Sequence, residues 1–205
     1  MILKICGMRD TTNIQAVEQL GLDWMGFIFF PASPRYVGEV IPYLPRQMKR
    51  VGVFVNSSRQ TILSQALEYG LTHLQLHGHE SPDECLFWKE KGYQVIKAIS
   101  IKSAADFTQV EHFESCVDYF LFDTKTKLRG GSGKQFDWDL LAHYHGTTPF
   151  LLSGGIGPES VAKLMQFRHP LLAGYDLNSQ FETTPGMKDV PKLAAFVRAI
   201  KNQNN

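Results

Sequence analysis

The feature that most limits what this chain can fold into is a recurrence. Eight short apolar runs rich in Val, Ile, Leu and Phe are strung along its 205 residues, each followed by a stretch with helical spacing and polar punctuation. They are Leu3 to Cys6, Met25 to Phe30, Val51 to Val55, His73 to His77, Val95 to Ile99, Tyr119 to Asp123, Phe150 to Ser153 and Gly174 to Asn178. Their starts fall roughly 20 to 30 residues apart, the length of one strand, one helix and two short loops. Consecutive strands joined by a crossover helix run parallel, so the series predicts an α/β fold. Eight such units predict one (βα)8 TIM-barrel domain over residues 1–205, compact beside the roughly 250 residues typical of the fold. The rival, an open doubly wound sheet, would carry a Gly-rich dinucleotide turn after its first strand. Cys6-Gly7-Met8-Arg9-Asp10 is no such turn. For helix starts, Ser81-Pro82-Asp83-Glu84 predicts a full capping box, with Thr12 and Gln15 a second candidate.

Charge narrows the partners. Lys and Arg total 21 against 20 for Asp and Glu, a net of +1, so no global basic field exists to collect nucleic acid or an anionic membrane. Any anion is bound locally. Cys6, Cys85 and Cys116 form no C-x-x-C pair, and their odd number fits a reducing, cytoplasmic compartment. The N-terminus lacks signal-peptide character, and no apolar run approaches the ~20 residues of a bilayer span.

In a barrel the strand C-terminal ends and the loops after them build the active site. The polar residues expected on that rim include Cys6, Arg35, His77, Asp123, Ser153 with Gly154 and Gly155, and Asp176 with Asn178 and Ser179. The seventh and eighth loops lie where barrels bind phosphate through backbone N–H groups, so Gly154, Gly155, Asp176, Asn178 and Ser179 are its candidate ligands. Cys6 shares a strand face with Lys4, whose ammonium would favour the thiolate and make Cys6 a general base. Asp123, closing an apolar strand, is the candidate general acid. Arg35, on the Pro-stiffened segment Pro31 to Tyr36, could clamp a carboxylate with two parallel hydrogen bonds. His77 is expected to wall the pocket. His77-Gly78-His79-Glu80 lacks the further ligands a metal needs, so no metal is expected. Gly130-Gly131-Ser132-Gly133-Lys134 misses the P-loop spacing and reads as a lid. Each residue also has a structural reading: a half-buried thiol, a turn-forming Asp, a surface Arg, a tight Gly turn.

Taken together, Lys4-Ile5-Cys6-Gly7, Gly26-Phe27-Ile28-Phe29 with Ser33-Pro34-Arg35-Tyr36, Val51 to Asn56, Leu74-Gln75-Leu76-His77-Gly78, Gly130-Gly131-Ser132-Gly133 with Phe136-Asp137-Trp138, Ser153-Gly154-Gly155 and Pro185-Gly186-Met187-Lys188-Asp189 give a chain that resembles phosphoribosylanthranilate isomerase along its length. The resemblance implies a cofactor-free Amadori rearrangement in tryptophan biosynthesis, from N-(5′-phosphoribosyl)anthranilate to 1-(2-carboxyphenylamino)-1-deoxyribulose 5-phosphate. It implies Asp123 as acid on the ribose ring oxygen, Cys6 as base at C2′, Arg35 on the anthranilate carboxylate, and Gly133 with the seventh and eighth loops among the substrate-binding groups. A small phosphorylated substrate is the only partner expected, and the chain is expected to be a monomer. One departure stands out: the family usually reads D-x-S-S-G-V-E where this chain has Asp176-Leu177-Asn178-Ser179-Gln180-Phe181-Glu182. Gln180 in the glycine position implies a shifted loop or a strained backbone, and the shifted loop is expected, with the Asn178 amide supplying a donor. The rivals are another phosphate-binding barrel enzyme, such as a metal-dependent ribulose-phosphate epimerase or an indole-glycerol-phosphate synthase, and a non-catalytic phospholigand-binding module.

Overall fold

The computed structural model describes residues 1–38, 41, 43–123 and 138–202. Eight parallel strands, β1 (Ile2–Cys6), β2 (Trp24–Ile28), β3 (Lys49–Phe54), β4 (His73–Leu76), β5 (Gln94–Ser100), β6 (Tyr119–Asp123), β7 (Phe150–Leu152) and β8 (Leu172–Leu177), pair in sequence order and close into a barrel. The seam is β1 on β8, with Lys4 opposite Asp176. All eight apolar runs became strands, with ends displaced by a residue or two. Phe29, for instance, lies beyond β2, its ring stacked on Phe54 and edge-on to Tyr69 in the outer layer.

Alternation along each strand divides the side chains between two cores. Trp24, Val51, Ile96, Ala98, Leu121 and Leu151 form a small cluster inside the barrel. A larger one, including Leu3, Ile5, Phe27, Phe54, Leu74, Phe120 and Phe122, packs on the other strand face. The parity that turns Leu121 inward also turns Asp123 inward two residues later, and the same holds for Lys4 and Cys6 on β1. The inner face is therefore apolar at mid-height and polar where the strands end.

The crossovers are lighter than the sequence pattern predicts. Helices α1 (Thr11–Glu18), α2 (Arg59–Tyr69), α3 (Pro82–Glu90), α4 (Val161–Gln166) and α5 (Val190–Asn202) follow β1, β3, β4, β7 and β8, but 3-10 turns at Ala104–Phe113 and Trp138–His143 replace helices after β5 and β6. After β2 no helix forms among the described residues. Pro31, Pro34 and Pro45 deny that segment backbone donors, and the Glu18 carboxylate ties it down instead through Tyr43 and the backbone N–H groups of Arg46 and Gln47. Both expected caps need correction. α1 is capped by Asp10, which accepts from Asn13 N, rather than by Thr12. Ser81 caps α3 with Pro82 in its first turn, but Glu84 does not reach back, because its carboxylate receives Trp88 Nε1 and Arg59 Nε.

At the start of β4, His73 is 6% exposed, 4.5 Å from the Trp24 ring, with Nδ1 2.8 Å from Thr72 Oγ1. Burial, helped by Lys49, lowers its pKa to about 4. The unfolded chain, with an ordinary histidine near 6.5, therefore takes up a proton that the folded chain refuses as pH falls from about 6.5 towards 4, and stability drops over that window. Chemical denaturation at pH 7 and pH 4.5 should show a loss smaller by about 2 kcal/mol in His73→Gln than in the parent. An equal loss in both would show that His73 does not set the acid limb.

Candidate active site

Strand β1 supplies the first two groups. Lys4 is fully buried and donates to Asp176 Oδ1 at 2.8 Å. Cys6, one layer above, is 4% exposed at the floor of a cleft of about 440 Å³, within the roughly 300–1,000 Å³ range of small-molecule sites. Its strand neighbour must be small: a Cβ on Gly26 would lie 2.9 Å from Cys6 Sγ and 3.3 Å from Lys4 Nζ. The thiolate expected from Lys4 alone is not the resting state. Burial pushes the Cys6 thiol up; Lys4 and Lys188 pull it down and Asp176 pushes it up, and the net direction is upward.

The segment after β2 folds back on its own strand, with Val37 N bonded to Ile28 O and Ser33 Oγ accepting from Arg35 N. Arg35 is thereby turned into the cleft, beside Gly7. At φ +79°, Gly7 occupies the left-handed region, and a Cβ there would sit 2.7 Å from Arg35 Cδ. The guanidinium is held side-on by Glu182, with Nε 2.9 and 3.0 Å from its two oxygens and Nη2 2.6 Å from Oε2.

From β4 and β6 come Gln75, His77 and Asp123. Gln75 Nε2 is 2.9 Å from His77 Nδ1, and His77 Nε2 is 3.7 Å from Asp123 Oδ2. An amide N–H donating to Nδ1 leaves the imidazole proton on Nε2, facing the carboxylate. Beneath this corner a buried Glu80–Lys97 pair, 2.7 Å apart, gathers the backbone of the loop: Glu80 accepts from Asn56 N and Gly78 N, and Lys97 donates to Gly78 O. His79 turns away from the cleft, its N–H on Asn56 Oδ1.

The remaining wall is formed by the loops after β7 and β8. Gly154 and Gly155 both have positive φ, and a Cβ on Gly155 would meet nothing within 4 Å, so conformation rather than crowding reserves that position for glycine. Ser179–Phe181 forms a 3-10 turn, and among the described non-glycine residues only Asn56 has positive φ. Gln180 is thus accommodated without left-handed strain. Asn178 Oδ1 accepts from Lys188 Nζ at 2.8 Å, leaving the amide N–H₂ as its donor.

Cys6, Arg35, His77, Asp123, Gly154, Gly155, Asp176, Asn178 and Ser179 all line this one cleft. Asp176 enters it as the counter-ion of Lys4. Gly133 and the expected lid fall in residues 124–137, outside the described residues. Sequence reasoning gave no role to Gln75, Glu182 or Lys188. Gln75 carried a usable signal, being a polar residue on the inward parity of an apolar strand. Glu182 and Lys188 stood only within the segments that carry the family resemblance, and nothing local paired them, since a two-strand hairpin, β9 (Glu182–Thr184) and β10 (Met187–Lys188), brings them together. No three His, Cys, Asp or Glu side chains converge as a metal-ligand set among the described residues.

Comparison with known proteins places the geometry. The family model for N-(5′-phosphoribosyl)anthranilate isomerase matches residues 3–199. The N-(5′-phosphoribosyl)anthranilate isomerase of Phocaeicola vulgatus is 52% identical over 203 residues, covering 99% of each chain. A crystal structure of phosphoribosyl anthranilate isomerase in complex with reduced 1-(o-carboxyphenylamino)-1-deoxyribulose 5-phosphate is 30% identical with a TM-score of 0.83, over 98% of this chain and 100% of that one. A structure of monomers generated from the dimeric enzyme of Thermotoga maritima is also 30% identical, with a TM-score of 0.81 over the same shares.

A thiol raised by burial and required as a base gives a definite pH signature. The rate constant kcat/KM should climb with pH to a midpoint above the ordinary thiol value of about 8.5. A limb that levels off below pH 7 would mean that the two ammonium groups outweigh burial.

Proposed function

Because the chain belongs to the N-(5′-phosphoribosyl)anthranilate isomerase family, we propose that it converts N-(5′-phosphoribosyl)anthranilate to 1-(2-carboxyphenylamino)-1-deoxyribulose 5-phosphate, an isomerisation in tryptophan biosynthesis. The observation that carries this reading is the meeting of Cys6, Asp123 and Arg35 in one cleft of a chain matched almost end to end.

The reaction combines proton transfers with one C–O cleavage and needs no external oxidant or reductant. Asp123 gives a proton to the ribose ring oxygen, the C1′–O bond breaks, and the anilino nitrogen lone pair forms the Schiff base. Cys6 then takes the C2′ proton, and the C–H electrons shift towards nitrogen to give the enolamine, which tautomerises to the ketone. Acid and base stand on β6 and β1, which lie apart around the ring, so each can address a different atom of one sugar. The His77 Nε2–H beside Asp123 offers a donor to the carboxylate left after the first transfer. Lys4 and Lys188 stand where their charges favour the thiolate.

Arg35 takes the anthranilate carboxylate. The loops after β7 and β8 take the phosphate, with the Asn178 amide as one donor. The oligomeric state that goes with this reading is a monomer, although a relative is dimeric. No described helix is long and apolar enough to cross a membrane. All three cysteines are free and buried, which supports a reducing, cytoplasmic setting.

The test is loss of anthranilate fluorescence from enzymatically generated substrate. Cys6→Ala and Asp123→Asn should each lower kcat by at least about 10² while remaining folded. Binding of a phosphoribosylated ligand without turnover by the parent chain would instead support a ligand-binding module. Asn178→Ala should raise KM several-fold with kcat nearly unchanged, the pattern of lost uniform binding. An unchanged KM would remove Asn178 from the phosphate site.

A further inference from the structure

Arg35 has five N–H donors. Glu182 occupies the Nε edge and one Nη2 hydrogen, while Nη1 bonds to no described residue. Glu182 is itself held fast: its side chain is 5% exposed, and Oε1 also receives Lys188 Nζ at 2.7 Å and Gly186 N at 3.0 Å. Lys188 is fixed in turn, its backbone bonded in both directions to the Asn13 side chain on α1 and its ammonium also reaching Asn178. Burial alone would push the Glu182 carboxyl up, yet Arg35 and Lys188 hold it below its ordinary range.

We propose that Glu182 is a positioning residue that takes the Nε/Nη2 edge of Arg35, so that the guanidinium meets a ligand carboxylate end-on, through Nη1 and the remaining Nη2 hydrogen. This rests on the reading that Arg35 holds the ring carboxylate. An Arg–Glu pair alone is neutral and attracts an anion poorly; Lys188 makes the trio net positive by one charge, and Asn13 keeps it in place. A lone arginine could swing to offer either edge. Locked side-on, Arg35 offers one fork in one plane, which fixes the orientation of the aromatic ring and with it the C1′ end of the sugar.

The experiment is a double-mutant cycle on the full chain, using Glu182→Gln, Arg35→Ala and the pair. KM and kcat are measured for the substrate and for N-(5′-phosphoribosyl)aniline, which lacks the carboxylate. Glu182→Gln should weaken the carboxylate-bearing substrate roughly tenfold, the scale of one charged hydrogen bond, leave the aniline analogue nearly unaffected, and add nothing in the Arg35→Ala background. Equal weakening of both compounds by Glu182→Gln, or additivity with Arg35→Ala, would overturn the positioning role alone. Equal weakening of both by Arg35→Ala would overturn the carboxylate reading and this proposal with it. Should Glu182→Gln fail to fold, Glu182→Asp keeps the charge but shortens the reach. Discrimination between the two compounds should still fall, and unchanged discrimination would contradict the proposal.

Discussion

Inside the barrel, where β1 meets β8, the fully buried ammonium of Lys4 donates to the carboxylate of Asp176 across 172 residues of sequence. An unpaired charge there would cost several kcal/mol, whereas the paired ions fix the register in which the last strand closes on the first. The pair does chemical work as well. It sits one layer under Cys6 and places a fixed positive charge beside the thiol. Burial pushes the thiol up, Lys4 pulls it down and Asp176 offsets part of that pull, so the net direction is upward. The two side chains that close the barrel thus also bear on the Cys6 thiol.

Charge is layered through the cleft in the same manner elsewhere. Glu80 and Lys97 pair below His77, and Glu182 and Lys188 pair beside Arg35. Each pair satisfies its own acceptors with nearby backbone N–H groups or side chains, so neither is a loose buried charge. These pairs stiffen loops rather than strands. That is where stiffness is needed, because the strand ends are positioned by the barrel while the loops after β2, β4 and β8 carry Arg35, His77 and Asn178.

Much of this was legible in the sequence, for reasons that differ by element. The eight runs announced the barrel because a strand buried on both faces must be nearly all apolar, and Tyr119–Asp123 was placed to the residue. Strand ends also located Cys6, His77 and Asp123, since a closed barrel directs every strand terminus at one rim. The crossovers were less legible. Ala104–Phe113 has helix-like spacing but forms a 3-10 turn, and the Glu84 side chain abandons its cap for Trp88 and Arg59. Least legible were the side chains that act through others. Glu182 and Lys188 meet only because a hairpin after β8 sets them across from one another, and the effect of burial on Cys6 depends on packing that no local pattern records.

On the proposed function, one cleft receives a carboxylate at Arg35, a sugar between Cys6 and Asp123, and a phosphate at the loops after β7 and β8. A crystal structure of the chain with reduced 1-(2-carboxyphenylamino)-1-deoxyribulose 5-phosphate tests it most directly. The expected density places the ring carboxylate end-on at Arg35 Nη1 and Nη2, the sugar C2′ within about 4 Å of Cys6 Sγ, and the phosphate against Gly155 and Asn178. A ligand bound with its phosphate at Arg35, or with C2′ out of reach of Cys6, would contradict it.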